Sequence, residues 1–505
     1  MKRLDNLEYL RLNKWERFWY KFALFFANIP AFFKNVGIKI GLFFKKLGLG
    51  IAHFFKNIVL YFIHGDWKTK VSYFIMGFGS VARGQVLRGI LFFVLEVAFI
   101  LYMVFFGGNY IKDIGTLGTV VQTTEEKEIG GIIITVVTRG DNSFKILLYS
   151  VLTIFFIVAF LYTWYLNIRQ NHINEEIIKE KKKVLTTKDD IRALVDEDFY
   201  KSLLALPTVG ITVFTVLPIF FMILVAFTNF DKNHYPPQNL FTWVGFDNFA
   251  ELFTWSNSGG ASFSGTFGQI LLWTLVWAFF ATFTNYFLGM MVAMLINKKG
   301  IKMKKLWRTI LVISIAIPQF ISLLYVSKMF AMDGIINGAL MKAGLAKIEF
   351  WTNQWLARIT VIVINIWIGI PYLMLISTGI LMNIPADLYE SAKIDGATAP
   401  QQFFKITLPY MLFVTGPYLL TSFTGNMNNF NVIFLLTGGG PKSVELYGSA
   451  GRTDLLITWL YSLTVNDTNY RLAAVIGIMI FIVVSVLSLI VYNVIPSTKN
   501  EEDFQ

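Results

Sequence analysis

Among the 505 residues there is no cysteine, and the four histidines, His53, His64, His172 and His234, stand far apart in the chain. Without thiols neither a disulfide framework nor a thiolate metal site can form. The histidines show no ligand spacing, so a metal centre has no candidate ligand set. Charge is scarce as well: 15% of the residues are Asp, Glu, Lys or Arg, against 55% hydrophobic and 16% aromatic. That balance excludes an ordinary soluble domain and implies a chain that sits mostly in lipid. A cleavable signal peptide is not evident, because the first 20 residues mix both charges with Trp15 and Trp19 and hold no short apolar core; the N-terminus is expected to stay on the chain. The formal net charge of +12 raises nucleic acid as a partner, and the distribution of that charge decides the matter.

Between Phe22 and Ile58 large apolar residues recur at the helical period. Phe-Phe pairs begin at positions 32, 43 and 54, and Lys34, Lys45 and Lys56 follow them at the same 11-residue spacing, on the face opposite the apolar stripe. The pattern predicts a basic amphipathic helix lying in the membrane interface. An ordinary solvated helix docked on protein is the other reading, since Pro30 and the glycines at 37, 41, 48 and 50 weaken a long rigid helix.

Past Gly65, eight segments are apolar over the ~20 residues needed to span a hydrocarbon core. They run near Leu87–Phe106, Ile146–Leu166, Leu203–Phe227, Phe267–Ile296, Leu306–Val326, Ile359–Met382, Met411–Leu436 and Leu472–Tyr492. With both termini cytoplasmic, 32 of the 44 Lys and Arg fall inside and 12 outside, where 13 acidic residues offset them. This is the positive-inside pattern. Lys298, Lys299, Lys302, Lys304, Lys305 and Arg308 mark one cytoplasmic turn especially clearly. The basic excess is therefore topology, and no nucleic acid is expected. The fold class is an all-α polytopic membrane protein of about eight transmembrane helices. Its organisation divides into a basic interfacial region 1–86, two further helices with a basic linker over 87–202, a six-helix core over 203–495 and a cytoplasmic tail 496–505. Glu96, the one acidic side chain clearly inside a span, reads either as a proton site or as a structural group near the cytoplasmic end of its helix.

The segment 383–409, which this topology puts in the cytoplasm, has Pro385 for the first turn of a short helix. Asp387 and Glu390 suit its N-terminal end and Asp395-Gly396 its stop. A second short helix is expected to end at Leu408, with Pro409 leading into the next span. Such an elbow is a lever for another protein to push, or else a tight connection. In the seventh span Ser422, Asn426 and Asn429 fall at i, i+4 and i+7 on one helical face. Neutral donors and acceptors there serve either sugar hydroxyls or helix–helix contacts, and Tyr372 beside Pro371 adds a flat ring with a polar tip. The stretch Gly438-Gly439-Gly440-Pro441-Lys442-Ser443 lacks the G-x-x-x-x-G-K-[ST] spacing of a phosphate loop and falls outside.

With Glu390-Ser391-Ala392, Gly396 and Ile406-Thr407-Leu408-Pro409 in place, the sequence resembles the binding-protein-dependent ABC permeases, whose cytoplasmic signature is E-A-A, a G four residues later, then I-x-L-P. Ser391 is a small-for-small departure. Trp367–Tyr372, Asp387–Glu390, Phe403–Pro409, Asn428–Phe430, Leu435–Thr437, Gly439–Pro441 and Thr453–Leu456 narrow the resemblance to the maltose/maltodextrin-type sugar permeases, over roughly residues 200 to 495. The large external insertion of that type is reduced here to about Asn229–Thr266, and the N-terminal 80 residues have no counterpart.

The resemblance implies a type I ABC importer permease, not an enzyme, that moves maltose, maltodextrin or a related oligosaccharide across a bacterial cytoplasmic membrane. It implies substrate contacts at Gly369, Tyr372, Ser422, Asn426 and Asn429, with Gly425 in place of an aromatic of that set. Tyr389, Glu390, Ser391, Ala392, Asp395 and Gly396 would form the coupling contact to an ATPase. Gly438, Gly439, Gly440 and Pro441 would reach an extracytoplasmic sugar-binding protein, a plain glycine turn being the other reading of that loop. The implied partners are a second permease chain of the MalG kind, an ATPase dimer of the MalK kind that carries ATP-Mg, the binding protein, the sugar and membrane lipid; no cofactor is expected on this chain. A proton-coupled secondary transporter is the alternative and would need Glu96. A membrane-embedded enzyme finds no nucleophile and base pair within the spans.

Overall fold

In hydrocarbon every backbone N–H and C=O has to be satisfied within the segment or by a neighbouring strand, so long apolar runs fold as helices. The computed structural model describes residues 11–129, 132–182, 184, 186–254, 261–298 and 300–494. The expected tail 496–505 and Lys299 lie outside the described residues. The long helices are α1 (Lys14–His64), α2 (Val86–Ile111), α3 (Ser143–Lys179), α4 (Phe199–Val225) and α5 (Phe263–Asn297). Then come α6 (Lys304–Ala316), α7 (Gln319–Met329), α8 (Gln354–Leu381), α9 (Ala386–Ile394), α10 (Ala399–Met427), α11 (Phe430–Thr437), α12 (Leu456–Val465) and α13 (Tyr470–Val494). Between α2 and α3 a two-stranded antiparallel hairpin, β1 (Thr124–Ile129) and β2 (Ile132–Val137), pairs Thr124 with Val137.

Four departures from the sequence expectations have local causes. The fifth span is broken: α6 and α7 meet at a bend of 91°. Pro318 supplies no N–H and forces Ile317 into extended backbone (φ −81°, ψ 125°), which ends α6. The seventh span stops at Met427, and Asn429 leaves helical geometry (ψ 85°) to accept the Val432 N–H as the cap of α11. Asn429 is therefore not on the same helix as Ser422 and Asn426. The second half of the elbow is no separate helix, since Ala399 begins a helix that continues through Pro409. A widened turn over Phe403–Thr407 absorbs the hydrogen bond that Pro409 cannot make. Finally, α1 runs unbroken through Pro30 and its glycines, started by a capping box in which Asn13 and Glu16 exchange hydrogen bonds. Its Gly37–His64 section is long and apolar enough to cross a membrane.

The chain forms two units, residues 1–111 with 152–212 and residues 112–151 with 213–505. In the first, the segment after α1 is pinned to the polar end of α3. Arg83, whose side chain is buried, donates to Asp66 (2.6 Å), Thr69 (2.9 Å) and Asn171 (2.9 Å). Glu175 accepts from the Asp66 N–H (3.0 Å) and the Thr69 hydroxyl (3.1 Å). Asn167 holds both Ser72 and Gly77 by their backbone. Glu96 accepts the Met76 N–H at 2.8 Å, which satisfies the structural reading of that carboxylate. In the second unit α5, α7, α8, α11 and the start of α12 share an apolar core around Trp273, Trp277, Leu323, Val361, Ile364, Ile433 and Leu455. Outside it the short loop after α4 is folded, not free: Asn248 donates to the Ala226 and Thr228 carbonyls, and Arg471 binds Asn248, Glu251 and the Phe230 carbonyl.

Candidate functional site

α5 and α8 run parallel, because successive turns meet in the same order: Gly369 faces Asn285 and Leu373 faces Gly289. A Cβ on Gly369 would fall 2.4 Å from the Asn285 amide nitrogen, so glycine is what lets that buried amide lie against the α8 backbone. The widened turn Phe280–Thr284 in α5 frees the Ala281 carbonyl, which takes the Asn285 amide at 2.8 Å. One residue further along that turn, the Thr282 hydroxyl accepts from the Asn426 side-chain amide of α10 (3.0 Å), and the Asn426 Oδ1 accepts in turn from the Asn429 side-chain amide (3.3 Å). Trp277 donates to the Asn426 backbone carbonyl at 3.2 Å. On the same helix Ser422 stands one turn before Asn426.

Gly369, Asn426 and Asn429 thus gather around the widened turn of α5, and Tyr372 and Ser422 lie one helical turn from Gly369 and Asn426 on α8 and α10. The broken seventh span does not disperse them, since Asn429 turns back onto Asn426. Tyr372 is exposed, and a side chain at Gly425 would meet open space. Three residues went unsignalled at this level: Thr282, Asn285 and Asn365, the last one helical turn from Gly369. The Asn285 amide oxygen and the Asn365 amide nitrogen are buried without a hydrogen-bond partner among the described residues. Their only sequence signal is a polar residue inside an apolar span, which helix packing produces equally well. The layer is neutral. α5 has no charged residue, and Arg358 of α8 and Lys405 of α10 stand toward the ends of their helices.

At the other end of α8 the elbow is built by local rules. α9 ends in a Schellman motif: Ala397 N–H bonds the Ala392 carbonyl (2.8 Å), Gly396 N–H bonds the Lys393 carbonyl (3.0 Å), and Gly396 takes φ +74°. Thr398 and Gln401 cap α10. The Tyr389 phenol meets the Thr407 hydroxyl at 2.8 Å and ties the two arms. Glu390, Ser391, Asp395 and Gly396 are exposed, Tyr389 and Ala392 half-buried. Ile394, the last residue of α9, is 87% exposed, and Leu388 and Phe404 are exposed as well.

The glycine loop after α11 is the reverse. Gly439 (φ +82°) lies buried against the Asp454 carboxylate, 2.0 Å from where its Cβ would be. Asp454 is held by the Gly451 N–H (2.7 Å) and Lys442 (3.6 Å). Burial pushes its carboxyl above the usual range, against the pull of Lys442 and of its hydrogen bonds. Of the four glycine-loop positions, Gly438 is exposed and Gly440 and Pro441 half-buried; the exposed tip is Val444 and Glu445.

A family model described as binding-protein-dependent transport system inner membrane component matches residues 285–499, which takes in the elbow, the polar layer and the glycine loop. The chain is 33% identical over 439 residues to the galactooligosaccharides transport system permease protein GanP of Bacillus subtilis, a match covering 85% of this chain and 97% of that protein. It is 32% identical over 447 residues to the maltodextrin transport system permease protein MalC of Streptococcus pneumoniae, covering 86% and 97%. It is 35% identical over 251 residues to the maltose/maltodextrin transport system permease protein MalF of Escherichia coli, covering 49% and 48%. The chain belongs to the binding-protein-dependent ABC permeases. It is a multi-pass membrane subunit of an importer and not an enzyme, which sets aside the proton-coupled alternative. In this permease the elbow holds the family signature, and the neutral layer lies between that elbow and the external loops.

Proposed function

We propose that the permease passes an uncharged oligosaccharide of the maltodextrin or galacto-oligosaccharide class through the layer formed by Gly369, Tyr372, Ser422, Asn426 and Asn429, with Thr282 beside them. The observation that carries this reading is the neutral, hydrogen-bonding character of that layer. A sugar offers hydroxyls and no charge, so it needs amides and phenols and no counter-ion, and an isolated charge at this depth would be unfavourable. Open space at Gly425 favours a chain longer than a disaccharide.

The exposed Ile394, with Glu390 one turn before it on α9, supports docking of the elbow into a separate ATPase that binds ATP-Mg, in a dimer of the MalK kind. An aliphatic side chain held out on a polar turn can fill a pocket of a partner. A second permease of the MalG kind would complete the channel, and an extracytoplasmic binding protein would deliver the sugar. The contact to that protein is assigned to the exposed tip Val444–Glu445 together with Gly438, and the buried glycines shape the loop behind it. The basic cytoplasmic turns support both termini inside. Reconstituted complex assayed with a panel of oligosaccharides tests the substrate class: uptake restricted to neutral oligosaccharides supports it, and uptake of charged sugars or amino acids instead contradicts it.

A further inference from the structure

The sugar pathway makes no use of α1. Its 51 residues give a rod of about 76 Å, more than twice a hydrocarbon core of ~30 Å. An 11-residue step advances a helix by three turns and only ~20°, so Lys34, Lys45 and Lys56 form one line along it. All three are exposed. The apolar face, with Phe44, Leu47, Ile51 and Phe55, is likewise exposed over the middle of the helix. The C-terminal end of the helix is covered: Phe54 packs on Tyr165 (4.5 Å between ring centroids), Tyr61 on His172 (4.1 Å), and the Tyr73 phenol donates to the Ile58 carbonyl (2.6 Å). Tyr165 and His172 belong to the section of α3 where Asn167, Arg169, Asn171, Asn174 and Glu175 replace the apolar run. The C-terminal part of α1 is therefore moored where α3 leaves the hydrocarbon. Gly37–His64 is long enough to span, but that path would place the charged Lys45 and Lys46 deep in the bilayer, where an ammonium group is costly.

We propose that α1 lies in the membrane interface at the end where α3 emerges and binds acidic phospholipid there, its Phe44–Phe55 face at the acyl boundary and Lys34, Lys45 and Lys56 on the headgroup phosphates. Exposed aromatic and aliphatic residues on one side with a lysine line on the other match an anionic surface in both polarity and charge. The absence of cysteine makes the test direct. Full-length permease in its complex, in nanodiscs of phosphatidylcholine with phosphatidylglycerol, is spin-labelled at single positions Phe44→Cys, Leu47→Cys, Ile51→Cys, Ala52→Cys and His53→Cys. The expected result is one shallow depth for labels at 44, 47 and 51, with labels at 52 and 53 open to an aqueous relaxing agent. Depths that pass through the bilayer centre along the series, or water access at all five sites, would overturn the proposal. In phosphatidylcholine alone, or with Lys34, Lys45 and Lys56 all changed to Gln, the ratio of docked to undocked helix should fall on the order of a hundredfold. Unchanged docking in both would overturn the acidic-lipid part of the assignment.

Discussion

Two glycines with nearly the same backbone, Gly396 at φ +74° in the elbow and Gly439 at φ +82° in the external loop, are required for opposite reasons. Around Gly396 nothing stands within 4 Å of an added Cβ, whereas at Gly439 the buried Asp454 carboxylate is 2.0 Å away. The elbow is shaped by conformation alone and keeps its surface open, as the docking proposed for it requires. The external loop is shaped by packing and is closed around its carboxylate, so its glycines serve the loop's own fold.

The largest effect is expected at the closed site. Gly439→Ala combines left-handed strain of about 1–2 kcal/mol with overpacking of about 1–3 kcal/mol, and the thermal stability of purified permease should drop by several degrees. Restoration of stability by adding Asp454→Ala would locate the clash. At the elbow, Gly396→Val should abolish substrate-stimulated ATP hydrolysis while the subunit still inserts, since a β-branched residue resists φ > 0. Full stimulation in that variant would remove Gly396 from the coupling contact. Gly396→Asn sharpens the contrast: asparagine tolerates this conformation and the site has room, so coupling should be kept to within a few-fold. Asparagine at 439 should be no better than alanine. Smallest is Tyr389→Phe, which loses one hydrogen bond to Thr407, about 0.5–1.5 kcal/mol, and should loosen the elbow without unfolding the chain, read as a modest fall in the coupling ratio.

How far the sequence carried depends on the range of the interaction. Spans and the elbow's stop are local or additive properties: Gly396 ends α9 as its chemistry predicts, while Pro385, expected in the first turn, stands one residue earlier as the cap. The break at Pro318 was visible as a proline but masked by the apolar residues on both sides. The break at Asn429 was masked because the i, i+4, i+7 spacing is also that of one unbroken helix. Thr282, Asn285 and Asp454 depend on partners in other helices or across a loop, and no single-segment pattern can place them. Nor could spacing tell that the glycine run is buried, since the same residues suit an exposed turn.

Whether the neutral layer handles the sugar is decided by Asn426→Ala in the reconstituted transporter. The substitution removes the Asn426 contacts to Thr282 and Asn429 and any to substrate. Loss of about 0.5–1.5 kcal/mol per hydrogen bond predicts roughly a two- to tenfold fall in uptake, more where a sugar hydroxyl is left unpaired. Sugar affinity of the binding protein and ATP hydrolysis without substrate should be unchanged, because neither involves this layer. Uptake of every sugar at the wild-type rate would show that Asn426 only joins α10 to α5, and would contradict the claim.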